Sequence, residues 1–139
     1  MRAVLDTVVF VRALINPKGR WGRLLFELSD RYVIVLSPDI IREIVAVLYR
    51  PSLRDRFPQM ADPPRLDRVL QLFERAEVVE PAETIAVCRD PADDKFFACA
   101  VVGLADYIVT EDRDLLDVGE HEGVKPVAAE QFIALLEGT

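Results

Sequence analysis

Tyr107-Ile108-Val109-Thr110-Glu111-Asp112-Arg113-Asp114-Leu115-Leu116 carries a strand, a polar turn and the start of a helix with no spare residue between them. The apolar, β-branched run at 106–110 fits a pleated, buried surface. The acids that follow suit neither a strand nor a core, and Asp114 is placed to cap a helical turn over 114–118. The amino-terminal stretch repeats this arrangement. Arg2-Ala3-Val4-Leu5 is a short apolar strand, Asp6 ends it, and a helix over 7–14 begins at once. Two strands that each hand an acid straight to a helix are the mark of an α/β chain.

The rest of the chain fills in around those two stretches. Asn16-Pro17-Lys18-Gly19 breaks the first helix, a second helix covers about 21–28, and 32–36 is a strand. Ser37 then caps a helix with Pro38 at its first position, and Asp39 complements its dipole. Ile40, Ile41, Ile44, Val45 and Leu48 recur at the spacing of a buried helical stripe. Pro51, Pro58, Pro63 and Pro64 make 51–64 a loop or a broken helical region. Asp62-Pro63 opens a helix whose stripe is Leu66, Val69, Leu70 and Phe73. A short strand follows at 78–79, and 80–89 has no clear element. Asp90-Pro91 opens a helix through Val102, ended by Gly103. A last strand at 124–127 leads into a helix at 130–137. Alternating short strands and amphipathic helices predict one domain over 1–139, a three-layer α/β/α sandwich around a mostly parallel sheet of about five strands.

Open parallel sheets bind ligands at the carboxyl ends of their strands, and acids recur there. Asp6 follows the first strand. Glu43 lies at the edge of an apolar helical stripe, beside Ile40, Ile44 and Val47. The run Asp90-Pro91-Ala92-Asp93-Asp94-Lys95 opens a helix, and Asp112 follows the strand ending at Thr110. Each acid alone has a structural reading. Asp6 can cap a helix, Glu43 can reach solvent, and Asp90 with Asp93 can form an N-cap and its third-position partner. Asp94 is not needed for capping, so the chemistry is assigned to Asp94, with Asp93 as a supporting or second-ion ligand. Gathered in one crevice, Asp6, Glu43, Asp94 and Asp112 would repel one another unless protonated or bridged by a cation. A divalent metal is the plainest resolution.

Composition narrows the classes. The chain is 51% hydrophobic and 29% charged over 139 residues, an ordinary globular balance. No apolar run approaches the roughly 20 residues of a membrane span, and the start turns charged too soon for a signal peptide. Cys88 and Cys99 have no metal or redox spacing and suit a cytoplasmic protein. His121 is the only histidine, which argues against a histidine zinc site or a Ser-His-Asp triad. The net charge of −7 is uneven. Residues 1–60 hold ten Lys/Arg against six Asp/Glu, a balance of +4, and the remainder stands at −11. Arg12, Arg20, Arg23, Arg42, Arg50, Arg54 and Arg56 fall in the basic part, a flank able to hold a phosphate backbone.

Four segments together resemble a PIN domain. They are Val4-Leu5-Asp6-Thr7, Ile41-Arg42-Glu43-Ile44, Arg89-Asp90-Pro91-Ala92-Asp93-Asp94-Lys95-Phe96, and Ile108-Val109-Thr110-Glu111-Asp112-Arg113-Asp114-Leu115-Leu116. Their order and spacing span almost the whole chain and are similar to bacterial PIN toxins of the VapC type. The resemblance implies an α/β/α sandwich, ribonuclease activity dependent on Mg²⁺ or Mn²⁺, a homodimer and an antitoxin partner. It places Asp6, Glu43, Asp94 and Asp112 at the acidic site, Thr110 as a hydroxyl beside it, and Asp114 as an additional acid. Two positions depart from the family. Val8 stands where an asparagine usually follows Asp-Thr, and Glu111 stands where glycine is common. Val8 cannot supply that side-chain amide, so a weakened metal site is the expectation.

The chemistry implied is that of hard ions, which keep several waters and meet phosphates. Such ions supply an acidified water for in-line attack on a phosphodiester and charge for the leaving oxygen. Two other classes with acids at strand ends are disfavoured. A phosphorelay receiver needs an acidic pair after its first strand, and a haloacid-dehalogenase-like phosphatase needs an aspartate where Val8 stands. The alternative within the same fold is a binding module that no longer cleaves.

Overall fold

Ala3, Val4 and Leu5 are fully buried because strand β1 (Arg2–Leu5) has a strand on each side and helices above and below. In the computed structural model, which describes residues 1–138, β2 (Val33–Leu36) pairs with one edge of β1 and β4 (Tyr107–Val109) with the other. β3 (Glu77–Val78) lies beyond β2, and β5 (Lys125–Val127) lies beyond β4. The order is β3-β2-β1-β4-β5 and every pairing is parallel. Buried on both faces, the inner strands read as unbroken apolar runs, as a covered parallel sheet requires.

The chain winds outward from β1 to β3, then returns to add β4 and β5 on the opposite side. The reversal falls between β1 and β4. Leu5 is in register with Val109, and the Asp6 N–H donates to the Val109 carbonyl at 3.1 Å. Asp6 and Thr110 therefore leave neighbouring strands at the same level, at the point where such sheets open a crevice.

The connections follow the local chemistry. Helix α1 (Thr7–Ile15) starts directly after Asp6 and buries Val9, Phe10, Ala13 and Leu14. The expected helix at 21–28 is a short α2 (Arg20–Gly22) that widens into a π turn over Arg23–Glu27. Gly22 is required there, since a Cβ would lie 2.0 Å from the Pro17 carbonyl oxygen. In α3 (Pro38–Leu48) the Ser37 hydroxyl accepts from the Ile40 N–H at 3.3 Å, and Ile40, Ile44 and Leu48 face the core. The prolines of 51–64 punctuate helices. Pro51 opens α4 (Pro51–Arg56), Pro58 opens a 3-10 turn (Pro58–Ala61) and Pro63 opens α5 (Pro63–Arg75). Proline suits a first turn, where its missing N–H has no partner to lose.

Residues 80–89 form no regular element. The helix expected from Asp90 is split into a 3-10 turn (Pro91–Asp93) and α6 (Asp94–Val102). Then come β4, the single turn α7 (Arg113–Leu116), β5 and α8 (Ala129–Glu137). Among the described residues, no helix is long and apolar enough to cross a membrane.

Candidate metal centre

Asp6 is 9% exposed, an unusual burial for a carboxylate. One carboxylate oxygen accepts from the Thr110 hydroxyl at 2.8 Å, and the backbone N–H of Val8 lies close enough to favour the charged form. Burial pushes the Asp6 pKa up, the two donors pull it back, and the negative charges of Asp112 and Glu43 push it up further. Thr110 is fully buried and occupied in both directions. Its hydroxyl donates to Asp6 and accepts from the Asp112 N–H at 2.9 Å. It therefore ties Asp6 to the backbone of Asp112.

Glu43 reaches the same crevice from the flank of α3. Its two oxygens are held separately. The buried Thr7 hydroxyl donates to one, and Lys95 Nζ lies 2.9 Å from the other. Lys95 is the one member of this set that sequence reasoning missed altogether. Only the first turn of α6 brings it back across to α3, and no sequence spacing relates residues 43 and 95.

The step from 3-10 turn to α-helix separates Asp93 from Asp94. Asp94 turns toward the 80–89 segment, where it accepts from the Cys88 N–H at 2.7 Å and the Val87 N–H at 3.0 Å. Desolvation acts against its charge, yet the Cys88 and Val87 amides hold its carboxyl below the ordinary value. It lines a different cavity, beside Ser37, Ile85 and Lys95. Asp93 faces the acid cleft. Partial burial, with the charges of Asp112, Asp90 and Asp6, pushes its pKa up to about 6. Asp90 does cap, accepting from the Ala92 N–H at 3.0 Å.

Asp112 caps α7 by accepting from the Asp114 N–H at 2.9 Å, and Asp114 is 3.3 Å from Arg89. Asp93, Asp112 and Asp114 can each offer an oxygen within 4.8 Å of the others. Asp6, Glu43, Asp93 and Asp112 all line one cleft of about 660 Å³, with Val8 and Glu111 at its wall. Of the sequence-expected acids, Asp6, Glu43 and Asp112 are thus brought together, Asp114 adjoins Asp112, and Asp94 is directed elsewhere. Val8 is 44% exposed, and its side chain offers Asp6 no hydrogen-bond donor.

The donor set is carboxylate throughout. His121 stacks edge-on against Phe97, and both thiols are pushed up to about 12, chiefly by burial. Carboxylate oxygens, with no imidazole or thiol lining the cleft, suit a hard divalent cation such as Mg²⁺ or Mn²⁺. The residues present therefore fit such an ion.

Comparisons with known proteins identify the fold. The family model described as a PIN domain matches residues 2–114. An uncharacterised protein of Methanocaldococcus jannaschii is 34% identical over 120 residues, covering 85% of this chain and 75% of that protein. Two crystal structures share the fold. PAE2754 from Pyrobaculum aerophilum superposes with a TM-score of 0.63 at 17% identity, covering 100% of this chain and 97% of that one. VapBC2 from Rickettsia felis, solved bound to a DNA fragment from their promoter, gives 0.59 at 13% identity, covering 92% of this chain and 98% of that one. With the family model matching most of its length, the chain belongs to the PIN domain family, a family of nucleases.

Proposed function

We propose that this protein is an Mg²⁺- or Mn²⁺-dependent endoribonuclease and the toxin of a toxin–antitoxin pair. The observation that carries the proposal is the convergence of Asp6, Glu43, Asp93 and Asp112 on one cleft at the switch point of the sheet. Asp93 takes the ligand position that the sequence alone suggested for Asp94. Asp114 completes the carboxylate group on the Asp112 side.

When bound, the cation supplies an acidified water and neutralises charge on the phosphate. The chain's own residues prepare the place for it. Thr110 fixes the Asp6 carboxylate, while Thr7 and Lys95 fix Glu43 from both sides. Rotamers locked in this way limit the reorganisation needed on binding. Asp93, whose pKa is pushed up to about 6, would hold the cation as a carboxylate, so metal affinity should rise as pH climbs through that value. The cleft contains no histidine, so proton transfer falls to carboxylates and water. The fold shared with VapBC2 supports the antitoxin partner, and the homodimer is proposed on the family resemblance alone.

Incubation of total RNA with the protein and Mn²⁺, followed by mapping of the cut ends, tests this reading. Internal cuts that vanish with chelator are expected. Intact RNA across all divalent ions would leave the second reading, a non-cleaving module, which the missing side-chain amide at Val8 favours.

A further inference from the structure

Of the seven clustered arginines, five are engaged elsewhere. Arg20 pairs with Glu130 at 2.6 Å, Arg23 with Glu137 at 2.7 Å, and Arg42 with Asp39. Arg54 donates to the Leu48 carbonyl at 2.9 Å and lies 4.3 Å from the Tyr49 ring centre, while Arg56 lies over Phe57. Arg12 and Arg50 remain. Both are exposed, and neither guanidinium has an ion-pair or hydrogen-bond partner among the described residues. Both line the same cleft as the four acids.

One cleft thus carries carboxylates at the strand ends and two free guanidinium groups on its helical wall. Arg12 lies six residues along α1 from Asp6, a rise of about 9 Å. That offset leaves room for the reacting phosphate at the acids and a neighbouring phosphate at the arginines. The apolar lining of the same cleft, which includes Val8, Ile15 and Val47, suits sugar and base faces better than further charge. Asp6 is recessed, which favours a strand that can thread the cleft over a stiff duplex. We infer that Arg12 and Arg50 form a phosphate-binding subsite that grips single-stranded RNA beside the cleavage site. This rests on the nuclease reading for its substrate class but can be tested apart from it.

The test measures binding of a short labelled oligouridylate by fluorescence anisotropy, in EDTA, over a range of salt. Arg12→Gln and Arg50→Gln should each weaken binding, about tenfold for the pair, and each should reduce the slope of log affinity against log salt by about 0.7. In Mn²⁺ they should raise KM for RNA cleavage and leave kcat near that of the wild type. Arg12→Lys and Arg50→Lys keep the charge and should keep most of the slope, which guards against a folding defect in the glutamine variants. Arg75→Gln, at a separate pocket beside Ser29 and Tyr32, serves as the charge-matched control. An unchanged slope in the cleft variants, or an equal loss in Arg75→Gln, would overturn the subsite. So would altered self-association of the cleft variants in sedimentation with RNA binding intact, since the surface would then belong to a protein contact. Wild-type cleavage with unaffected arginine variants removes the subsite and keeps the nuclease. Arginine-dependent binding with no cleavage in Mn²⁺ does the reverse.

Discussion

Asp93 and Asp94 are neighbours in sequence and opposites in environment. Asp94 is held below its ordinary pKa by two backbone amides, and Asp93 is pushed up to about 6 by burial and by Asp112, Asp90 and Asp6. The two shifts have opposite consequences for stability. A raised carboxylate is disfavoured as an ion in the folded state. Its penalty is absent below its ordinary value of 3.8, grows as pH rises from there, and is fully present only above about 6. Asp6 is raised as well and acts in the same sense. Asp94 contributes stability above its ordinary value that is lost only in stronger acid. Metal-free protein should therefore melt at a higher temperature at pH 5.5 than at pH 7.5. Asp93→Asn should flatten that dependence and stabilise the metal-free protein at pH 7.5 by about 1 kcal/mol, after allowing for solvent screening. Calorimetry across this range checks both, and a steeper pH dependence in Asp93→Asn would contradict the assignment. None of this is legible in the sequence. A helix starting at Asp90 leaves Asp94 as the acid without a cap to make, whereas a 3-10 turn before α6 rotates Asp93 into the cleft instead.

At the scale of elements, the first turn of α6 does two jobs. Asp93 faces the acid cleft and Lys95 reaches Glu43 from its side, while Asp94 ties the 80–89 segment to the helix through Val87 and Cys88. Asp94→Ala should loosen that segment and cost about 1–3 kcal/mol, with faster amide exchange at Val87 and Cys88 as the local signature. The far end of α6 holds a correctable fault. Gly103 lies at the C-cap, where a Cβ would meet Val35 at 2.4 Å, but the left-handed residue is the next one, Leu104, at φ 53° and 78% exposed. Leucine pays for that conformation without burying its side chain. Leu104→Gly should raise stability by about 0.5–1 kcal/mol, read as a shift in the denaturation midpoint; a drop would mean the side chain packs against something beyond this chain. Strand and helix positions were largely readable, because 2–5, 33–36 and 107–109 are apolar runs ended by acids or a hydroxyl. The π turn over Arg23–Glu27 was not, since it depends on the close approach of Gly22 to Pro17.

Across the whole molecule, sheet order explains why residues distant in sequence act together. Placing β1 between β2 and β4 brings Asp6 against Thr110 and leaves α3 and α6 to close the crevice from the sides. The sequence carries the acids and the alternation of elements, so the fold class and three cleft acids, Asp6, Glu43 and Asp112, could be read from it. Lys95, and the choice between adjacent aspartates, come from tertiary packing. The same packing sorts the arginines, leaving Arg12 and Arg50 free in the cleft. Mn²⁺-dependent cleavage of RNA by the wild type, Asp93→Asn and Asp94→Asn, compared side by side, puts the acid cleft to the most direct test. Asp93→Asn should lose about a hundredfold or more of the activity while Asp94→Asn stays within about tenfold of the wild type. Undiminished cleavage by Asp93→Asn, or loss confined to Asp94→Asn, would contradict it.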